Sequence, residues 1–135
     1  MFRINNTYFT FISHSWTYSN DYNTVLNWLM ESNINIRDYS VPITEPFDPM
    51  KKSLLQEKIT EQIRHASVVI ILSGMYAAHS GWIDYEIDEA IRMDKPILGV
   101  RPWGQERVPT KISNNANLMV GWNRASVVDA FKSLV

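Results

Sequence analysis

The chain has 135 residues, 45% hydrophobic and 20% charged, with 13 basic and 14 acidic side chains and a net charge of −1. That length predicts one domain over residues 1–135, and the even charge balance argues against a basic grip on nucleic acid or an acidic membrane surface. Absence of cysteine excludes disulfide and thiolate chemistry and suggests a cytoplasmic location, and no apolar run reaches the roughly 18 residues of a membrane helix.

Tyr8-Phe9-Thr10-Phe11-Ile12-Ser13 is β-branched and aromatic and predicts a buried first strand, stopped by the polar cluster Ser13-His14-Ser15-Trp16. Asn20 or Asp21 can cap a helix to about Glu31, with Tyr22, Val25, Leu26 and Leu29 at helical spacing. Ile34-Asn35-Ile36 is a weak second strand near an edge. Arg37 to Met50, with Pro42, Pro46 and Pro49, predicts a long loop without regular structure, of the kind that often carries function. A helix from about Lys51 to His65 follows, with Leu54, Leu55, Ile59 and Ile63 on one side. Ala66 to Leu72 is the strongest strand signal, an unbroken apolar run suited to a central parallel strand covered on both faces. After Ser73-Gly74 and a short helical turn from Met75 to His79, a helix runs from Ser80 to about Met93. Pro96 to Val100 is a further buried strand with proline at its permissible first position. Arg101 to Asn115 predicts a second irregular loop, Asn117 to Gly121 a last strand and Ala125 to Leu134 a closing helix.

Five strands alternating with helices predict a flavodoxin-like α/β fold, a mostly parallel sheet with helices on both faces joined by right-handed crossovers. Ligands of such sheets bind beyond the carboxyl ends of the strands. There the order of elements gathers Ser13 to Trp16, Arg37 to Pro46, Ser73-Gly74 and Arg101 to Trp103. Several chemistries are excluded. There is no phosphate loop of the G-x-x-x-x-G-K-[ST] type, no G-x-G-x-x-G and no G-x-S-x-G. His14, His65 and His79 have no spacing that suggests zinc. A phosphoacceptor receiver would need acids where Ser13 and Ser73 end the first and third strands.

The helix Ser80-Gly81-Trp82-Ile83-Asp84-Tyr85-Glu86-Ile87-Asp88-Glu89-Ala90-Ile91 carries the one conspicuous pairing. Ile83, Ile87, Ala90 and Ile91 form an apolar stripe, and Tyr85, Asp88 and Arg92 lie on the opposite, solvent-facing side. Trp82 and Glu86, at i and i+4, sit one above the other on the shoulder between the faces. Periodicity alone leaves two readings open: a reactive carboxylate beside an aromatic wall, or a boundary glutamate beside a tryptophan that packs the helix start. Trp16 and Trp103 carry the same ambiguity, whereas Trp28 and Trp122 read as core.

Four matches then occur in order. Phe11-Ile12-Ser13-His14-Ser15 resembles the F-I-S-[YH]-x signature closing the first strand of TIR domains. Asp38-Tyr39-Ser40-Val41-Pro42 looks like their proline-bearing loop, Ser80-Gly81-Trp82-x-x-x-Glu86 is similar to their S-x-W-x-x-x-E helix motif, and Trp103 stands where many have an aromatic. The resemblance runs from Tyr8 to Leu134 and is nearest to the small TIR-like proteins of bacterial Thoeris anti-phage defence. His14-Ser15 replaces a Tyr-Arg of some active relatives, and the proline loop lacks their glycine.

The resemblance implies cleavage of the nicotinamide–ribose bond of NAD, taken as substrate with no separate cofactor and no metal. It further implies an ADP-ribose-derived, often cyclic, product that activates a separate effector, and a phage-derived trigger. It leaves a homo-oligomer open. The family's catalytic glutamate carries over to Glu86. The substrate-binding set expected around it is Phe11, Ser13, His14, Ser15, Trp16, Asp38, Tyr39, Ser40, Ser73, Trp82 and Trp103. Scission passes through an oxocarbenium-like ribose, which a carboxylate can stabilise, and nicotinamide leaves as a neutral ring without a general acid. Two other readings compete: a TIR-like interaction module without catalysis, which has no need of Glu86 and Trp82, and a nucleoside deoxyribosyltransferase-like enzyme, which should show further acids at the strand ends.

Overall fold

The computed structural model describes residues 7–15, 19–38, 40, 42–43, 48–102 and 107–135, and for 14–15, 19 and 42–43 the backbone. The strands are β1 (Thr7–Ile12), β2 (His14–Ser15), β3 (Asn35–Asp38), β4 (Pro42–Ile43), β5 (Val68–Leu72), β6 (Ile97–Val100) and β7 (Leu118–Val120). The helices are α1 (Ser19–Glu31), α2 (Pro49–His65), α3 (Tyr76–Arg92), α4 (Thr110–Asn115) and α5 (Arg124–Leu134).

Five strands form one sheet in the order β3-β1-β5-β6-β7, and every pairing in it is parallel. Tyr8 faces Ile36, Phe11 faces Val69, Ile70 faces Leu98 and Gly99 faces Met119. This is the flavodoxin-like order, in which the chain leaves the first strand toward one edge and later returns to its other side. β5 is buried at all five positions, as its unbroken apolar run requires of a strand covered on both faces. Alternation along the strands divides the core. Phe11, Val69 and Ile71 pack with Ile59, Ile63, Ile83 and Ile87 of α2 and α3. Ile12, Ile70 and Leu98 pack with Val25, Leu29, Val127 and Phe131 of α1 and α5. Trp28 and Trp122, read as core, lie half-buried against that second layer with ring centroids 4.9 Å apart.

Several local expectations need correction. The stretch 37–50 is not wholly irregular. β3 runs through Asp38, Pro42–Ile43 pairs with His14–Ser15 as a separate two-stranded ribbon, and Pro49 opens α2. Asp48 caps that helix by accepting from the Met50 amide at 2.9 Å, and proline costs nothing where an amide would lack a partner anyway. The loop 101–115 likewise contains α4, held by the fully buried Ile112. Leu54, placed on the apolar side of α2, is 58% exposed.

The largest correction concerns α3. Its span joins the expected short helical turn before His79 to the expected helix from Ser80 across a break at His79 (φ −134°, ψ 32°), so what changes is the side that faces the core. Its buried face is Trp82, Ile83, Glu86, Ile87 and Ala90, so Trp82 and Glu86 belong to the core side and not to a shoulder. Ile91 is 47% exposed, and Tyr85 turns inward, its hydroxyl donating to the Gln56 carbonyl at 3.1 Å and meeting the Thr60 hydroxyl. Rotation of the helix by part of a turn accounts for all four departures, because α2 and not the sheet alone decides which side of α3 faces protein.

Candidate active site at the carboxyl edge of the sheet

The connections out of β1 (through α1) and out of β5 (through α3) run to opposite sides of the sheet, which makes the gap between their carboxyl ends the switch point at which ligands of such sheets bind. Ser13 follows β1 directly beside that point. Its amide donates to the Ile70 carbonyl of β5 at 2.8 Å, while the preceding Ile12 amide donates to Ser40 Oγ at 2.7 Å on the β3 side. Period-2 alternation puts Ser13 on the same face as Phe11, the face covered by α3. There Ser13 Oγ donates to Glu86 Oε1 at 2.5 Å, joining residues 73 positions apart.

Glu86 is fully buried, and its Oε2 has no hydrogen-bond partner among the described residues. Burial in the apolar layer disfavours the carboxylate and pushes its pKa up from 4.5 to about 8, against a smaller lowering by the Ser13 hydroxyl. At neutral pH the group is therefore largely the neutral acid. Burying a carboxyl with one of two oxygens unsatisfied costs stability that hydrophobic packing elsewhere must offset. A perturbed carboxyl at the switch point of an open sheet is the kind of group that can hold or stabilise a positive centre once one is brought to it.

The remaining expected residues divide. Trp82, 6% exposed, stands one turn before Glu86 on the same face and meets Tyr85 edge-on, with ring centroids 6.4 Å apart at 84°. Phe11 is fully buried in the same core layer. Asp38 and Ser40 form a clamp: Asp38 Oδ1 accepts from both the amide (2.8 Å) and the hydroxyl of Ser40, which in turn holds Ile12. They fix the backbone next to Ser13. Ser73 is buried and donates to the Val100 carbonyl at 3.2 Å, tying the ends of β5 and β6. His14 and Ser15 contribute the backbone of the β2–β4 ribbon. Trp16, Tyr39 and Trp103 lie outside the described residues.

Sequence reasoning missed one feature. Trp82 is also a wall of a cavity of about 370 Å³ between the start of α2 and the break in α3, lined further by Lys52, Gln56, Ala78, His79, Ser80 and Gly81. The i, i+4 spacing of Lys52 and Gln56 was the available signal, but it carries meaning only once α3 is known to lie against that face. Among the described residues there is no cluster of three or more His, Asp or Glu able to hold a metal ion, and no helix is long and apolar enough to cross a membrane.

Fold and site together define an α/β protein with a buried carboxyl at the carboxyl edge of its parallel sheet. The chain belongs to the TIR-like domain family of the Thoeris protein ThsB, whose model matches residues 11–107, a stretch that contains Ser13, Trp82 and Glu86. The family places it in Thoeris defence. No curated protein matches the sequence. Among solved structures, it is similar to a 2-deoxyribosyltransferase of Bacillus psychrosaccharolyticus, at 13% identity and a TM-score of 0.70 over 93% of this chain and 95% of that one. A conserved protein of Enterococcus faecalis follows at 10% identity and 0.66, covering 96% and 100%. A CMP N-glycosidase of Clostridium botulinum stands at 11% and 0.57, covering 92% and 98%. At such identities these likenesses concern the fold.

Proposed function

We propose that this protein is an NAD-consuming enzyme of Thoeris anti-phage defence. It cleaves the nicotinamide–ribose bond and produces an ADP-ribose-derived, cyclic signal that activates a separate effector. The observation that carries the reading is Glu86, a fully buried carboxyl at the sheet's switch point with one oxygen held by Ser13 and the other without a partner among the described residues.

The chemistry follows from charge. The nicotinamide of NAD is cationic, and scission transfers that positive charge to the ribose as the ring leaves neutral. A cation beside Glu86 favours the carboxylate and draws its pKa down from about 8, so substrate binding itself releases the proton to solvent. The carboxylate then stabilises the oxocarbenium-like ribose, with Ser13 holding Oε1 and leaving Oε2 for the sugar. The apolar surroundings of Phe11, Trp82 and Ile83 keep water out, which favours capture of the ribose by a group of the same molecule over hydrolysis.

Incubation of the purified chain with NAD, alone and with phage lysate as trigger, tests this by chromatography of released nicotinamide. Wild type should release it, and Glu86→Gln should lower the rate by ~10²–10³-fold, the scale of losing an electrostatic stabiliser. Cleavage that survives the substitution overturns the role of Glu86. Absence of release under both conditions would leave the chain as a TIR-like interaction module. A second reading, transfer of deoxyribose between bases, draws on the fold likeness to the deoxyribosyltransferase; release of free base from a deoxynucleoside, with NAD untouched, would favour it.

A further inference from the structure

The cavity beside Trp82 has no part in the chemistry at Glu86, yet the two share that residue as a wall, since Trp82 and Glu86 stand one turn apart on the buried face of α3. Its about 370 Å³ lies in the range of small-molecule sites, too small for a whole dinucleotide and ample for part of one. None of its lining side chains is acidic. Lys52 supplies an exposed ammonium, with no ion pair or side-chain hydrogen bond among the described residues. Gln56, one turn on, lines the same space with a side-chain amide that can donate, and its backbone carbonyl accepts from the Tyr85 hydroxyl. Ser80 adds a hydroxyl. Space for a Cβ at Gly81 is open, with nothing within 4 Å. One free cation, neutral donors, an aromatic wall and no carboxylate make a cavity suited to a compact anion.

We propose that this cavity is the subsite for the diphosphate of the dinucleotide, with Lys52 as its cation and Gln56 as its neutral donor. The inference rests on NAD as the substrate of the Glu86 site and extends it: the bond to be broken lies at Glu86, and the charged middle of the molecule passes Trp82 into this cavity. A phosphate clamp one helical turn from the reacting carbon would hold the ribose in register without adding charge at the reaction centre.

Calorimetric titration of the full-length chain with ADP-ribose, which has the diphosphate but no bond to cleave, tests it apart from turnover. Wild type should bind with an affinity that falls as salt rises. Lys52→Ala should weaken binding about tenfold and flatten the salt dependence, Lys52→Arg should restore most of the affinity, and all should melt alike because the side chain is exposed. Gly81→Leu, whose Cβ would have nothing within 4 Å and whose longer side chain would take up space in the cavity that Gly81 lines, should abolish binding. Equal affinity of wild type, Lys52→Ala and Gly81→Leu overturns the subsite, as does a wild type that does not bind ADP-ribose. Nicotinamide release from NAD by that same wild type would show that the subsite alone has failed. Binding without release would leave the subsite standing and the cleavage reading overturned.

Discussion

The two layers packed on the central sheet are built from similar residues and differ in one. Under α1 and α5, Val25, Leu29, Val127 and Phe131 meet Ile12, Ile70 and Leu98, and no ionisable side chain is buried among the described residues of that layer. Under α2 and α3, Ile59, Ile63, Ile83 and Ile87 meet Phe11, Val69 and Ile71, and Glu86 is buried with them. The first layer needs nothing beyond apolar contact to explain it. Packing provides no reason for a carboxyl in the second, where neutralisation and a single hydroxyl partner are all that soften its burial. Stability in the one layer should therefore be indifferent to pH and in the other should follow it.

The largest effect expected is that pH dependence. The folded pKa of Glu86 is raised, so between about 4.5 and about 8 the folded state keeps a proton that the unfolded chain has lost. Wild type accordingly loses roughly 1.4 kcal/mol per pH unit across that window relative to Glu86→Gln, which cannot titrate, and the difference stops growing above it. Denaturant titrations of both proteins from pH 5 to 9 would show this, and parallel curves would mean the carboxyl is not buried as described. Phe131→Ala, in the other layer, should cost ~3–5 kcal/mol at every pH in the same titrations. Ser13→Ala comes next: it strands Glu86 Oε1 and removes the donor that favours the carboxylate, so stability should fall by ~1–3 kcal/mol. The pH profile of NAD cleavage should move upward with it, and an unmoved profile would separate Ser13 from the titrating group. Smallest is Asn123→Ala, which removes the side chain that caps α5 through the Ser126 amide and should cost ~1 kcal/mol by thermal melting, with no change in cleavage.

Much of the fold was legible in the chain because its signals are local. The apolar run at Val68 to Leu72 belongs only in a strand covered on both sides. Alternation of strand and helix sufficed for a parallel sheet, and the F-I-S and S-x-W-x-x-x-E matches sufficed for the family. Where the reading went astray, the deciding contact lay elsewhere in the sequence. Proline at 42 and 49 argues against regular structure locally, yet one sits in a short ribbon formed by pairing with residues 14–15 and the other opens a helix. Gly99 reads as an ordinary small residue in a strand, and only the sheet register shows that a Cβ there would come within 2.1 Å of Met119 Sδ.

Glu86 marks the boundary between the two kinds of information. Sequence by itself determined that a carboxylate and a tryptophan share one side of a helix, one turn apart, because 3.6 residues per turn leaves no other arrangement. It could not determine which way that side faces, since rotation of a helix about its axis is set by what packs against it. Tertiary structure decided that: α2 holds Tyr85 through Gln56 and Thr60, which turns Trp82 and Glu86 inward. The end of β1 then delivers the hydroxyl of Ser13, 73 positions away, to one carboxyl oxygen, and the other has no partner among the described residues. The raised pKa follows from that enclosure, a property of the assembled layer that no local pattern encodes.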